Sequence, residues 1–133
     1  MVPPMTTELS MLAASAALFF FLSFAIANAV VLQRGIPWAL GNRDEPGATL
    51  APWTARGERA LRNLQENLMV FAIVVLVVHA AGASNSTSAL GAQLFFGARV
   101  VHAIMYLGGV KVVRTLAWVG GLLGTVMVGS ALL

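Results

Sequence analysis

Ten residues, Glu58-Arg59-Ala60-Leu61-Arg62-Asn63-Leu64-Gln65-Glu66-Asn67, hold two carboxylates, two guanidiniums and three amides and run without a turn signal into the apolar stretch 68–78. Charge is thus built into the mouth of a membrane helix, where it is costly unless it meets partners, and residues of that kind mark functional sites. A second set lies further on: Arg99, His102 and Tyr106 follow one another at i, i+3 and i+7 and share one helical face. Arg59, Arg34 and Arg114 are placed to ring the opening of a polar cleft lined by Arg62, Asn63, Glu66, His102 and Tyr106. An excess of arginine over glutamate in a small cleft favours an anionic, multiply carboxylated ligand gripped by guanidinium forks. A thiol beside such an arginine would ionise more readily, and a cleft that borders lipid admits an apolar second substrate sideways.

Depth decides which side chains can meet. With Gly57 and Gly108 at the membrane surface, Glu66 and Arg99 each lie about 13 Å below it, at about 1.5 Å per helical residue. A buried arginine needs a carboxylate, and Glu66 with Arg99 is the most economical ion pair; its simplest role is to glue two helices together. His79, near the far end of its helix with no ionisable neighbour in its segment, reads as an interhelical hydrogen-bonding group.

The elements that must position these groups follow from composition. With 59% hydrophobic and 10% charged residues in 133, the chain is too apolar for a soluble domain, in which about a quarter of residues are charged. It reads as a single all-α membrane domain over 1–133, a bundle of four transmembrane helices at about 7–34, 55–81, 88–107 and 113–133. Thr6 or Thr7 caps the first helix, and Gly35 with Pro37 ends it. Ala25-Ile26-Ala27 imitates a signal-peptide cleavage site, but no Lys or Arg precedes the apolar run and the run has the length of a retained span. The apolar part of the second helix is too short to cross a hydrocarbon core of about 30 Å, so its polar turns must lie partly inside the membrane. Loop 35–54, rich in Pro and Gly, reads as a surface connector with Trp38 and Trp53 as interfacial anchors. Asn85-Ser86-Thr87 is formally a glycosylation sequon and reads as a helix cap, and Gly120 with Gly124 has the small-xxx-small spacing of close packing in lipid.

Arg34, Arg43, Arg56, Arg59 and Arg62 flank the first loop and Lys111 and Arg114 the third, while the middle loop and the ends carry no Lys or Arg. By the positive-inside rule loops one and three are cytoplasmic and both termini face outward. The short loops and the absence of a sorting tail look like those of a bacterial inner-membrane protein. Cysteine is absent, which rules out disulfides and a thiolate nucleophile. One His and one Glu together fall short of a metal-ligand set, and no Ser/His/Asp arrangement, phosphate-cradling loop or nucleic-acid module is present.

The helix-two stretch resembles the signature of the MAPEG family, membrane-associated proteins in eicosanoid and glutathione metabolism, in which an arginine-rich turn precedes Asn-x-x-Glu-Asn. Arg99-x-x-His102-x-x-x-Tyr106 and Arg114-Thr115 are similar to its third- and fourth-helix motifs, and the likeness covers nearly the whole chain. The resemblance implies a homotrimer that binds glutathione in a U shape between neighbouring subunits, near the cytoplasmic face. By motif, Arg34, Arg62, Asn63, Glu66, His102, Tyr106 and Arg114 would contact glutathione, with Arg114 or Thr115 nearest its sulfur. Leu61 stands where many members have His, Trp118 where eukaryotic members often have Tyr, and Thr115 replaces a Ser. The expected activity is that of a glutathione-dependent membrane transferase or peroxidase acting on hydrophobic electrophiles or lipid hydroperoxides. The alternative is a non-enzymatic membrane protein whose polar cluster serves assembly or binds another anionic metabolite; a transporter fits less well, because the charges sit near one face.

Overall fold

Long apolar runs with caps at their ends leave the backbone no cheaper arrangement in a bilayer than helix, since only there is every peptide group satisfied within its own segment. In a computed structural model describing residues 4–133, the chain forms α1 (Thr7–Arg34), α2 (Ile36–Leu40), α3 (Pro52–Ala80), α4 (Ser86–Gly108) and α5 (Lys111–Gly129), followed by a 3-10 turn, Ser130–Leu132. The first three residues of the domain expected over 1–133 lie outside the described residues. Four helices are long and apolar enough to span a membrane: α1, α3, α4 and α5 with its 3-10 extension. The protein is therefore an all-helical, multi-pass integral membrane protein built as a four-helix bundle.

Local chemistry sets the ends. The Thr6 side chain accepts the Leu9 N–H at 3.3 Å and opens α1; Gly35, at φ 89°, closes it. The chain then re-enters helix at once as α2, with Pro37 in its first turn, so the segment expected as an irregular loop is partly helical. The third element starts at Pro52, three residues before its expected start. Proline suits a first helical position, where its missing N–H would be unbonded anyway. Gln33, at the end of α1, splices this start in place: its Oε1 accepts the Ala51 N–H and its Nε2 donates to Thr54 Oγ1, both at 2.7 Å. Asn85 opens α4 with a reciprocal capping box, in which its Oδ1 accepts from the Ser88 N–H at 2.9 Å and its own N–H donates to Ser88 Oγ at 2.8 Å. The Ser88 hydroxyl also donates to the buried Glu8 carboxylate, tying the start of α1 to the α3–α4 turn.

The apolar core occupies the half of the bundle nearer that turn. It is made of Phe71, Val75 and Val78 from α3, Ala92 and Phe95 from α4 and Val128 from α5, with the Phe71 and Phe95 rings stacked at 3.8 Å between centroids. The closest helix pair is α4 with α5, and glycines allow it. A methyl group on Gly124 would lie 2.5 Å from the Gly91 carbonyl oxygen and 2.7 Å from Phe95 N. Of the spaced pair Gly120 and Gly124, Gly124 makes the tight contact, opposite Gly91, whereas a Cβ on Gly120 would sit at an ordinary 3.4 Å from Ala98 Cβ. Phe20, Phe21, Phe24, Ile73, Leu116 and Val126 point outward and are exposed, which suits a surface solvated by lipid. Toward loops one and three the interior turns polar.

Candidate functional site

In that polar half, α3 carries Ala60 and Leu64 inward, each 1% exposed. At about 100° per residue, Asn63, Glu66 and Val70 fall on one flank of that buried stripe and Glu58, Leu61 and Arg62 on the other. Each flank lines a different cleft.

On the first flank, Asn63 meets α4. Arg99, only 1% exposed, donates from Nη2 to Asn63 Oδ1 at 2.7 Å and lies 3.5 Å from His102 Nδ1. Among the described residues its Nε and Nη1 have no hydrogen-bond partner. The ion pair expected between Glu66 and Arg99 is not formed within the chain: the Glu66 side chain is exposed, and an amide takes the place of the carboxylate. Equal depth brought Glu66 level with Arg99, but its position around α3 turns it away, whereas Asn63, about 60° further toward α4, points inward.

From Arg99 the polar side chains continue toward the surface. His102 is 3% exposed, and its ring meets that of Tyr106 edge-on at 5.4 Å. The Arg114 guanidinium sits over the Tyr106 ring at 4.5 Å, a cation–π arrangement that keeps it extended across the opening. Thr115 bonds its hydroxyl back to the Lys111 carbonyl at 3.1 Å. Asn63, His102, Tyr106, Arg114, Thr115 and Trp118 together line a groove of about 270 Å³. Through Asn63 and Trp118 it continues into a hollow of about 310 Å³ bordered by Glu66, Asn67, Val70, Leu122 and Thr125. The turn that sets the start of α5, and so the place of Arg114, is held by Arg56, whose Nε donates to the Leu107 carbonyl at 3.1 Å, and by Gly109 in the left-handed conformation at φ 75°.

Arg34 and Arg62 do not join this groove within one chain. Arg62 lines a crevice of about 290 Å³ between α1 and α3 together with Trp38, Arg43, Glu58 and apolar residues of α1. Arg34 lies against loop one, its Nε donating to the Ala48 carbonyl at 3.1 Å and its guanidinium 4.6 Å from the Trp38 ring centre. Trp38 is half-buried in loop one and donates from Nε1 to the Glu45 carbonyl at 2.9 Å.

Set against known protein families, the chain matches the model of the MAPEG family over residues 9–133. The chain belongs to the MAPEG family. No curated protein and no solved structure matches it. Membership fixes the coarse character of the molecule, since the MAPEG family includes glutathione transferases and peroxidases. Five of the residues the family motif singles out, Asn63, His102, Tyr106, Arg114 and Thr115, converge in the groove, and Glu66 borders its continuation. Gln33 and Arg56 were not legible beforehand. Both act on backbone atoms of segments distant in sequence, Arg56 across 51 positions, and no local pattern announces such a bond. Trp118 stood out only as a departure from the family pattern; its place between the two hollows follows from its spacing of one turn after Arg114 and Thr115.

Proposed function

We propose that this MAPEG protein is a glutathione-dependent membrane transferase or peroxidase acting on hydrophobic electrophiles or lipid hydroperoxides. One observation carries the proposal: a cation, an imidazole, a phenol, an amide and a hydroxyl face one groove at the polar end of an otherwise apolar bundle. That donor set suits a peptide with two carboxylates, and the two donor nitrogens of Arg99 without a partner among the described residues add to the polar half's capacity for an anion. Arg114, with Thr115 beside it, holds the thiol and favours its ionised form. His102, Tyr106 and Asn63 hold the remainder of the peptide, and Glu66 receives its amino group. The electrophile enters from lipid past Trp118, where Val70 and Leu122 offer an apolar wall. The thiolate forms a bond to its electrophilic carbon as the leaving group departs.

Arg34 and Arg62 join as contacts from a neighbouring subunit of a homotrimer, because within one chain they lie on the far side of α3. The groove then opens to the cytoplasm with loops one and three. Calorimetry of the detergent-purified protein with glutathione tests the proposal: binding should be lost in Arg114→Ala and in Glu66→Gln while both variants keep the wild-type assembly. No heat at millimolar glutathione would refute it. A second reading, in which the polar cluster serves assembly alone, draws on Arg99 and its partnerless donors; it requires Glu66→Gln to weaken the oligomer and leave any ligand binding unchanged.

A further inference from the structure

We infer that Arg56 is a positioning residue for the thiol chemistry of the groove: by clasping the end of α4 it fixes how far Arg114 stands from the thiol. The inference rests on the glutathione reading above and gives a task to a cation that the reading leaves unused.

The closing carbonyls of α4 are satisfied in two ways. Those of Met105 and Tyr106 accept the Val110 and Gly109 N–H groups at 2.9 and 3.1 Å, within the turn itself. The Leu107 carbonyl is reached from α3, by Arg56 Nε at 3.1 Å. The guanidinium lies along the turn, since a Cβ added to Gly109 would stand 3.5 Å from Arg56 Cζ. The next residue of α3 receives the Leu107 side chain: Gly57 is buried, and a Cβ on it would come 3.2 Å from Leu107 Cδ2. Two consecutive residues of α3 thus hold Leu107, one by its backbone and one by its side chain. All these contacts are made within one chain.

Leu107 sits between the two groups that matter to a bound thiol. Tyr106 precedes it, and α5 begins four residues later at Lys111, with Arg114 in its first turn. Tyr106 and Arg114 form the cation–π pair at 4.5 Å, and Arg114 is the one arginine in the lining of the groove. Without the Arg56 bond the turn keeps its own two hydrogen bonds and loses its polar tie to α3, so the first turn of α5 can swing outward. The glycine contact of α4 with α5 lies deeper, at Gly91 and Gly124, and Asn63 stays tied to Arg99. The peptide contacts therefore persist while the charge beside the sulfur retreats. At an effective permittivity of about 20, a retreat of Arg114 from about 4 to about 5.5 Å lowers the thiolate fraction about sevenfold wherever the thiol is mostly protonated. Above the thiol's own titration the difference vanishes. The other titratable or charged groups facing the thiol are His102 and Tyr106 from α4 and Glu66 from α3, with Arg34 and Arg62 of a neighbouring subunit in the proposed trimer. All of them are common to wild type and variant, so their titration cancels in the comparison.

The test is an ultraviolet titration of the thiolate of glutathione bound to the detergent-purified full-length protein, from about pH 6 to above the ordinary thiol value of about 8.5, with calorimetry for affinity. Arg56→Met should bind glutathione within about twofold of wild type and show about sevenfold less thiolate at about pH 6, the two curves meeting at high pH. Arg56→Lys, which restores a charged donor, should recover most of the signal. Gly109→Ala strains the same turn at φ 75° without touching Arg56 and should shift the titration in the same direction, which keeps the test decisive should Arg56→Met not fold. An unshifted titration in the folded variant would overturn the inference, as would a signal lowered equally at every pH or an Arg56→Lys protein no better than Arg56→Met. Wild-type protein that binds no glutathione would bring down the reading of the groove and this inference with it; wild-type binding beside an unshifted variant would bring down this inference alone.

Discussion

Asn63 carries a heavier duty than its size implies. Among the described residues it supplies the one side-chain oxygen that Arg99 reaches, at 2.7 Å, and Arg99 is almost wholly buried with two further donor nitrogens unbonded among them. Replacing Asn63 by Ala removes that acceptor and leaves a guanidinium with no oxygen partner among the described residues. A hydrogen bond to a charged group contributes about 1.5–3 kcal/mol, so Asn63→Ala should lower stability by about that much and the unfolding midpoint by several degrees. Asn63→Asp is the informative partner, because it keeps the shape and puts a carboxylate 2.7 Å from the same Nη2, converting an amide contact into an ion pair. Breaking a buried charge's pairing costs more than forming the pair yields. Asn63→Asp should therefore unfold at or above the wild-type midpoint, while Asn63→Ala falls well below it. The assay is a thermal unfolding series in one detergent, paired with glutathione titration. Both variants should bind glutathione more weakly, the Asp variant because it adds negative charge to a groove that receives an anion. An Asn63→Ala protein as stable as wild type would refute the reasoning, as would an Asp variant less stable than the Ala variant.

Three further outcomes follow from packing. Gly124→Val should drive α4 and α5 apart, since even a first methyl would meet the Gly91 carbonyl at 2.5 Å; a loss of about 1–3 kcal/mol is expected from overpacking, and an unchanged midpoint in the same thermal series would argue against this contact. Ser88→Ala should strand the Glu8 carboxylate without its hydroxyl donor and cost about 1–3 kcal/mol; the loss should shrink when Glu8→Gln is made as well, and a double-mutant cycle with no coupling would disprove the link. Gly47→Ala should open loop one, because its φ of 71° and the 2.8 Å approach to Trp38 Nε1 leave no room for a methyl group. Faster proteolysis within 41–50 reports it, and a cleavage rate equal to wild type would show that the loop tolerates the side chain.

A good part of the molecule is written along the chain. Apolar run length, the caps at Thr6 and Asn85 and the Gly35–Pro37 stop define four spans because helix formation in a bilayer depends on local sequence and on the cost of bare peptide groups. The level of each polar residue in the membrane is equally readable, since depth grows linearly with residue number along a helix. On that basis Asn63, His102, Tyr106 and Arg114 could be assigned to one zone, and they do share one groove. What depth leaves open is the angle around the helix axis. That angle depends on which stripe each helix buries, and tertiary packing decided it: the stacking of Phe71 on Phe95 and the glycine contact of α4 with α5 turn Asn63 toward Arg99, turn Glu66 outward and send Arg62 to the opposite flank. The fold of loop one was likewise out of reach, because its order comes from Trp38, Arg34, Arg43 and Gly47 meeting in space. The sequence by itself determined the four long helices, their order and the level of each charge along its own helix; the tertiary structure decided which charges face one another, because facing is a property of two helices at once.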